Sequence, residues 1–255
     1  MKFGVGQSVK RVEDFRLLTG AGRYTDDLQL PGTLFAVTLR SPYGHAVIRS
    51  IDTAPALAVE GVVAVYTYKD IAEYGEVPCL VPLSGPIKTP RTLLAAERVR
   101  FVGDGVAFVV AETREAARAG AEAIEVDYDE LPVVASIDAA IAPGAPKVWP
   151  EAPSNLIFDW QLGDGEGASK GIAGAHHVAS LRVVQNRVAP TSMEVRAAVG
   201  EYDATTGFTL TFGGQGVAAG RPMIAGILRT SPDQVRVVTG DVGGGFGMKA
   251  FMYPE

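Results

Sequence analysis

Residues that ligate metals and clusters are scarce in this chain, which has one cysteine, Cys79, and three histidines among 255 residues. A single cysteine excludes an internal disulfide framework and any cysteine-rich metal or iron–sulfur site, so a redox centre would have to be held in another way or by another chain. Positive charge is short as well. The 23 Lys and Arg against 29 Asp and Glu leave a net charge of -6, without the basic footprint of a nucleic-acid or anionic-membrane binder. Neither nucleic acid nor membrane is therefore expected as a partner. No run approaches the ~18 apolar residues of a membrane span, and the first ten residues lack the apolar core of a signal peptide. A cytoplasmic location is expected on that basis.

Glycine is what the chain has in quantity, with 30 residues, alongside 16 prolines. Gly243, Gly244, Gly245 and Gly247 fall within five positions around Phe246, in the stretch 235–249 that opens on an apolar, strand-like run. Ordering so many glycines costs chain entropy, which is tolerated where the backbone takes positive φ or approaches a ligand closely. Main-chain N–H groups would then do the binding. The phosphate-loop pattern G-x-x-x-x-G-K-[ST] fails, because Met248 and Ala250 stand where it needs Gly and Ser or Thr. Residues 245–250 satisfy G-x-G-x-x-[GA], but a dinucleotide fold needs a further helix, strand and acidic residue about 20 positions on, and the sequence runs only to Glu255. The plain alternative is a Gly-rich turn between core strands.

At about 150 residues per domain the length suggests two domains. Residues 1–30 read as an extended arm, and strands are expected over 34–40, 46–51 and 61–67 from their β-branched and aromatic content. Pro78, Pro82, Pro86 and Pro90 make 75–92 a long irregular connection. A strand–turn–strand–helix–strand unit follows over 98–128, with Thr113 capping a helix that runs to about Ala123. Glu125, Asp127, Asp129 and Glu130 read as the wet side of a half-exposed strand rather than as a metal site. Four prolines between 142 and 153 mark a domain boundary. Beyond it, a strand over 176–184 would turn His176 and His177 to opposite faces, making them poor joint ligands of one metal. His45 reads as a structural hydrogen-bonding residue rather than a general base. Residues 200–212 suggest two strands about an Asp-Ala-Thr-Thr-Gly turn, and 221–228 a helix.

Taken together, Val9-Lys-Arg-Val-Glu-Asp-Phe-Arg-Leu-Leu-Thr-Gly-Ala-Gly-Arg-Tyr-Thr-Asp-Asp27, Arg40-Ser-Pro-Tyr-Gly-His-Ala46, Ala111-Glu-Thr-Arg114, Glu125-Val-Asp-Tyr-Asp-Glu-Leu-Pro132, Met193-Glu-Val-Arg196 and Asp241-Val-Gly-Gly-Gly-Phe-Gly-Met-Lys249 resemble, in order and spacing, the molybdenum-binding subunit of the xanthine dehydrogenase, aldehyde oxidase and carbon monoxide dehydrogenase family. The resemblance implies an α+β chain. Residues 1–141 would form an N-terminal arm and an α/β hammerhead domain, 142–155 a linker, and 156–255 the first, incomplete part of a molybdopterin-binding domain. It places Gln215 on a glutamine that hydrogen-bonds an oxygen ligand of molybdenum, and Gly244, Gly245, Phe246 and Gly247 on the loop whose backbone approaches the metal and its dithiolene. The implied cofactor is molybdenum with molybdopterin in its cytosine dinucleotide form, with iron–sulfur centres and FAD on partner subunits.

Three departures from the family pattern stand out. Ala250 replaces a glutamate that contacts purine substrates, Asp104-Gly105 replaces Gln-Pro, and Gly213-Gly214 replaces Ser-Thr before the glutamine. The family subunit also continues well past this length, into the glutamate that serves as general base and most dinucleotide contacts. The chain is thus expected to be inactive alone, as a truncated product or one piece of a split subunit. Its expected role is in oxidation of an aldehyde, an aromatic heterocycle or a carbon monoxide-type substrate with water-derived oxygen. The remainder of the large subunit, an iron–sulfur subunit and an FAD subunit would be partners, with a small molecule as substrate. The alternative is a non-catalytic binding or assembly module that keeps only the hammerhead fold.

Overall fold

The computed structural model of the chain describes residues 4–6, 8–79 and 89–255. Nine strands are present among these residues: β1 Phe35–Arg40, β2 Ala46–Asp52, β3 Val62–Thr67, β4 Arg98–Val99, β5 Gly105–Ala111, β6 Glu125–Glu130, β7 Ala198–Asp203, β8 Gly207–Phe212 and β9 Val235–Val238. The helices are α1 Asp14–Leu18, α2 Ala54–Leu57, α3 Tyr68–Ile71, α4 Arg114–Ala123, α5 Ile137–Ile141, α6 Gly165–Ala173 and α7 Val217–Leu228. The strands build three three-stranded sheets, ordered β1-β5-β3, β4-β2-β6 and β7-β8-β9.

β5 organises the first half because both of its faces are apolar. Ala107 and Val109 pack with Ala56, Ala121 and Ile124 on one side, while Val106 packs with Ala46, Ala95 and Val99 on the other. Successive side chains of a strand point to opposite faces, so one run of Val and Ala serves two cores. α4 lies over β1 and β5, its N-terminus capped by Thr113 Oγ1, which accepts from Ala116 N at 3.1 Å. Such a cap contributes about 1 kcal/mol. Gly120 sets how closely α4 approaches, since a Cβ there would lie 2.8 Å from Val62 Cγ2 and 2.9 Å from Val109 Cγ1. On β6, Glu125, Asp127 and Asp129 are exposed while Val126 and Tyr128 turn inward, the alternation expected of those carboxylates.

The second half differs in kind. β7 and β8 form an antiparallel hairpin, but β9 pairs parallel with β8. Parallel neighbours need a crossover, and α7 supplies it, giving a βαβ unit. The 203–207 turn is fixed by Asp203 Oδ1, which accepts from Thr205 N and Thr206 N at 2.9 Å. α7 begins four residues before the expected start and continues through Pro222. That proline lies in the second turn, where its ring removes one N–H without stopping the helix.

Several expectations need correction. The strand expected over 176–184 is absent; the segment is exposed, and no described strand pairs with it. An apolar, β-branched run becomes a strand only when a neighbour accepts its N–H and C=O groups. His176 and His177 are therefore not splayed across a sheet, and their rings meet edge-on with centroids 5.8 Å apart. The strand expected from 98 pairs only at Arg98–Val99, after which Phe101 and Val102 turn out to solvent. Residues 80–88 of the proline-bearing connection lie outside the described residues; on either side of them Val77 N donates to Arg91 O at 2.8 Å. The arm is not featureless, for it contains α1 and a 3-10 turn at Thr25–Asp27. Among the described residues no helix is long and apolar enough to cross a membrane.

Candidate cofactor site

The βαβ unit brings two glycine-rich loops to one edge. Gly213-Gly214-Gln215-Gly216 leaves the carboxyl end of β8 and leads into α7, and residues 239–247 leave the carboxyl end of β9. Ligands of open α/β sheets characteristically lie beyond the carboxyl ends of parallel strands. Hydrogen bonds tie the loops together: Gly214 N donates to Thr239 Oγ1 at 3.2 Å, Gln215 N to Lys249 O at 3.0 Å, and Gly247 N to Gln215 Oε1 at 2.9 Å. The Gln215 carboxamide lies so close over Gly245 that a Cβ there would sit 2.6 Å from its Oε1.

Backbone conformation in the second loop is unusual. Gly244 and Gly247 have φ of +101° and +82°, and Phe246 has φ +50°. An aromatic residue in the left-handed region is uncommon and strained, and such residues cluster at functional sites. Phe246 is nevertheless 73% exposed, so burial of its ring does not hold it there. Among the described residues, the N–H groups of Gly244, Gly245 and Phe246 make no hydrogen bond. Successive free amides at a turn are donors of the kind that can bind an anion. Beside them the N-terminus of α7 has no side-chain cap, leaving further N–H groups and the positive end of the helix dipole. Gln215 Oε1 is occupied by Gly247, which turns its amide nitrogen into a remaining neutral donor. This donor set fits an anionic pterin group bound against glycines.

Beneath the loop lies an ion pair that no spacing argument revealed. Lys249 Nζ donates to Glu194 Oε2 at 2.6 Å, and the lysine side chain is 1% exposed. The same Glu194 oxygen accepts from Gly243 N at 2.8 Å, while Glu194 N donates to Gly243 O at 3.1 Å. Burial pushes the Glu194 carboxyl upward, yet the Lys249 and Gly243 donors outweigh it and hold the group below its ordinary range. Gly213 and Gly214 also find their reason here. A Cβ on Gly213 would meet the Glu194 carboxylate at 3.0 Å, and one on Gly214 would meet the Phe212 ring at 2.2 Å.

A second hold comes from the arm. Arg16 Nη1 and Nη2 donate to the two carboxylate oxygens of Asp241 at 2.5 and 2.6 Å, and Arg23 N donates to Asp241 Oδ2 at 2.7 Å. These donors lower the Asp241 pKa to about 2. Further along, Arg196 stacks 3.6 Å from the Tyr253 ring centroid and pairs with Glu255, while Tyr253 Oη donates to Met248 O at 2.7 Å. The pairing partners were out of reach of the sequence, although the Met193–Arg196 motif and Lys249 themselves stood out in it.

His45 lies elsewhere, buried, with Nδ1 3.1 Å from Pro132 O; it pins the end of β6 to the start of β2 and takes no part in this edge. Ala250 is exposed at the far end of the loop. Among the described residues no group of three or more His, Cys, Asp or Glu could hold a metal ion.

Comparison with known proteins gives this edge its context. Residues 19–132 match the family described as aldehyde oxidase and xanthine dehydrogenase, a/b hammerhead domain, and residues 148–255 match the molybdopterin cofactor-binding domain. The chain is 35% identical to the carbon monoxide dehydrogenase large chain of Afipia carboxidovorans over 98% of its own length and 32% of the relative's. It is 34% identical to the nicotine 6-hydroxylase large subunit of Paenarthrobacter nicotinovorans, again over 98% of this chain and 31% of the relative. Among solved structures, quinoline 2-oxidoreductase from Pseudomonas putida 86 superimposes with a TM-score of 0.88 at 37% identity, covering 100% of this chain and 32% of the other. The chain thus spans about a third of the length of these relatives. With a hammerhead domain followed by a molybdopterin cofactor-binding domain, it belongs to the xanthine dehydrogenase, aldehyde oxidase and carbon monoxide dehydrogenase family, as an N-terminal portion of the molybdenum-binding large subunit.

Proposed function

We propose that the chain is the N-terminal portion of a molybdenum hydroxylase large subunit and supplies one wall of its cofactor site. Residues 1–141 carry the arm and hammerhead, 142–155 the linker, and 156–255 the cofactor-facing segment. The observation that carries this reading is the run of free N–H groups at Gly244, Gly245 and Phe246 beside the Gln215 carboxamide. Molybdopterin, in its cytosine dinucleotide form, would supply the two-electron redox chemistry when bound. The chain's own residues supply position. Gly244, Gly245 and Phe246 donate backbone hydrogen bonds to an anionic ligand, and Gln215 offers a neutral amide donor that orients an oxygen without adding charge. Iron–sulfur and FAD subunits would accept the electrons, and the remainder of the large subunit would close the site and provide the base.

The substrate class follows from Ala250. A methyl group at the exposed end of the loop offers no carboxylate to a purine, which favours an aldehyde or a neutral aromatic heterocycle. Relatives named for nicotine and quinoline are in keeping with that range. Steady-state oxidation by the protein purified with its partner subunits, using an artificial electron acceptor, tests this. An aldehyde or N-heterocycle is expected to give the higher kcat/KM, and a preference for xanthine or hypoxanthine would refute the assignment.

A further inference from the structure

The N-terminal arm has little apolar reason to stay where it is. Val9, Val12, Phe15 and Leu18 are 77%, 96%, 78% and 85% exposed, and no residue of α1 is buried. Polar contacts hold it instead, and they converge on the root of the glycine-rich loop. Asp241 takes both Arg16 nitrogens and the Arg23 N–H on its carboxylate, and its own N–H donates to Arg23 O at 3.0 Å. Thr25, which is 4% exposed, directs its N–H to Glu194 Oε1 at 3.4 Å. Gly240 accommodates the crossing, since a Cβ there would stand 2.9 Å from Arg23 O.

Asp241 stands two residues before Gly243, and Gly243 is itself held on the other side by Glu194. Asp241 and Gly243 fix one end of the stretch 244–246, which presents the unpaired N–H groups, and Gly247, donating to Gln215 Oε1, fixes the other. A bidentate guanidinium–carboxylate pair defines direction as well as distance, so the pair aims this stretch as well as anchoring it. On the reading given under Proposed function, we propose that Arg16 is a positioning residue of the cofactor loop, and that the arm is a strap which must dock for the loop to present its N–H groups.

Hydrogen exchange measured by mass spectrometry on the protein purified with its partner subunits tests the proposal. Arg16→Ala should raise exchange in peptides covering 241–247 about fivefold, the upper range for a lost surface ion pair, and leave peptides covering β5 unchanged. Arg16→Lys keeps the charge but loses the bidentate geometry, and should fall between Ala and wild type. An unchanged loop in Arg16→Ala overturns the proposal, as does a rise of equal size in β5, because the latter makes Arg16 a general stability residue. A Lys variant indistinguishable from wild type overturns the directional part. Pterin released from the wild-type protein is assayed separately. Its absence would defeat the cofactor reading, while the exchange pattern would still decide whether Arg16 positions the loop.

Discussion

At the residue scale, Lys249 carries the largest local risk, because an ammonium with 1% of its side chain exposed depends on one carboxylate. Removing a single member of a buried pair leaves an uncompensated charge and costs about 3–5 kcal/mol. Glu194→Gln is therefore expected to lose stability on that scale in urea denaturation, and Glu194→Gln combined with Lys249→Met should recover most of it. A loss below ~1 kcal/mol for the single variant would place the pair in solvent. Gly244, Gly245 and Gly247 were legible in the sequence because clustered glycine signals special backbone or close approach. Glu194 and Arg16 were not legible as holds on the loop, since their partners lie 55 and 225 residues away and no period links them. Phe246 at φ +50° was also hidden, because only glycine advertises that conformation in a sequence.

At the element scale, the hammerhead half depends on how closely α4 approaches β3 and β5. Overpacking a filled core costs about 1–3 kcal/mol, so Gly120→Val should fall in that range, with the lost contacts confined to α4, β3 and β5. Chemical denaturation gives the magnitude, and a neutral substitution would mean that α4 can slide. The elements of this half were readable because each carries its own signal: β-branched runs for β1, β2, β3 and β5, Thr113 for the start of α4. Pairing partners were another matter. β5 and β6 flank α4 in sequence yet enter different sheets, and the parallel β8–β9 pair emerged only with the crossover. The 176–184 run shows the limit most clearly, since strand propensity without a neighbour does not make a strand.

At the scale of the whole molecule, the surface is uneven. Val178, Leu181, Val183, Val184 and Val188 are between 60% and 86% exposed along one irregular segment. Contiguous exposed apolar surface marks an interface or an aggregation liability. The 255-residue chain produced by itself is thus expected to associate, and a dilute, monodisperse monomer by light scattering would count against this. The same surface explains why the segment defied reading: its hydrophobicity suits a buried strand, but the described residues do not contain what would bury it.

The central claim is that the free backbone N–H groups of residues 244–246, with the Gln215 carboxamide, hold molybdopterin. Molybdenum and pterin measured per protein, in the assembly purified with its partners, test it directly when wild type is compared with Gly247→Val. Valine opposes the φ of +82° at this position and puts a stiff β-branched side chain into the space beside the loop, where a Cβ meets nothing within 4 Å. Near-stoichiometric molybdenum and pterin in the wild type, with a loss of roughly tenfold or more in the variant, is the predicted result. Equal cofactor content in the two proteins would contradict the account and leave the loop as a glycine-rich turn between strands.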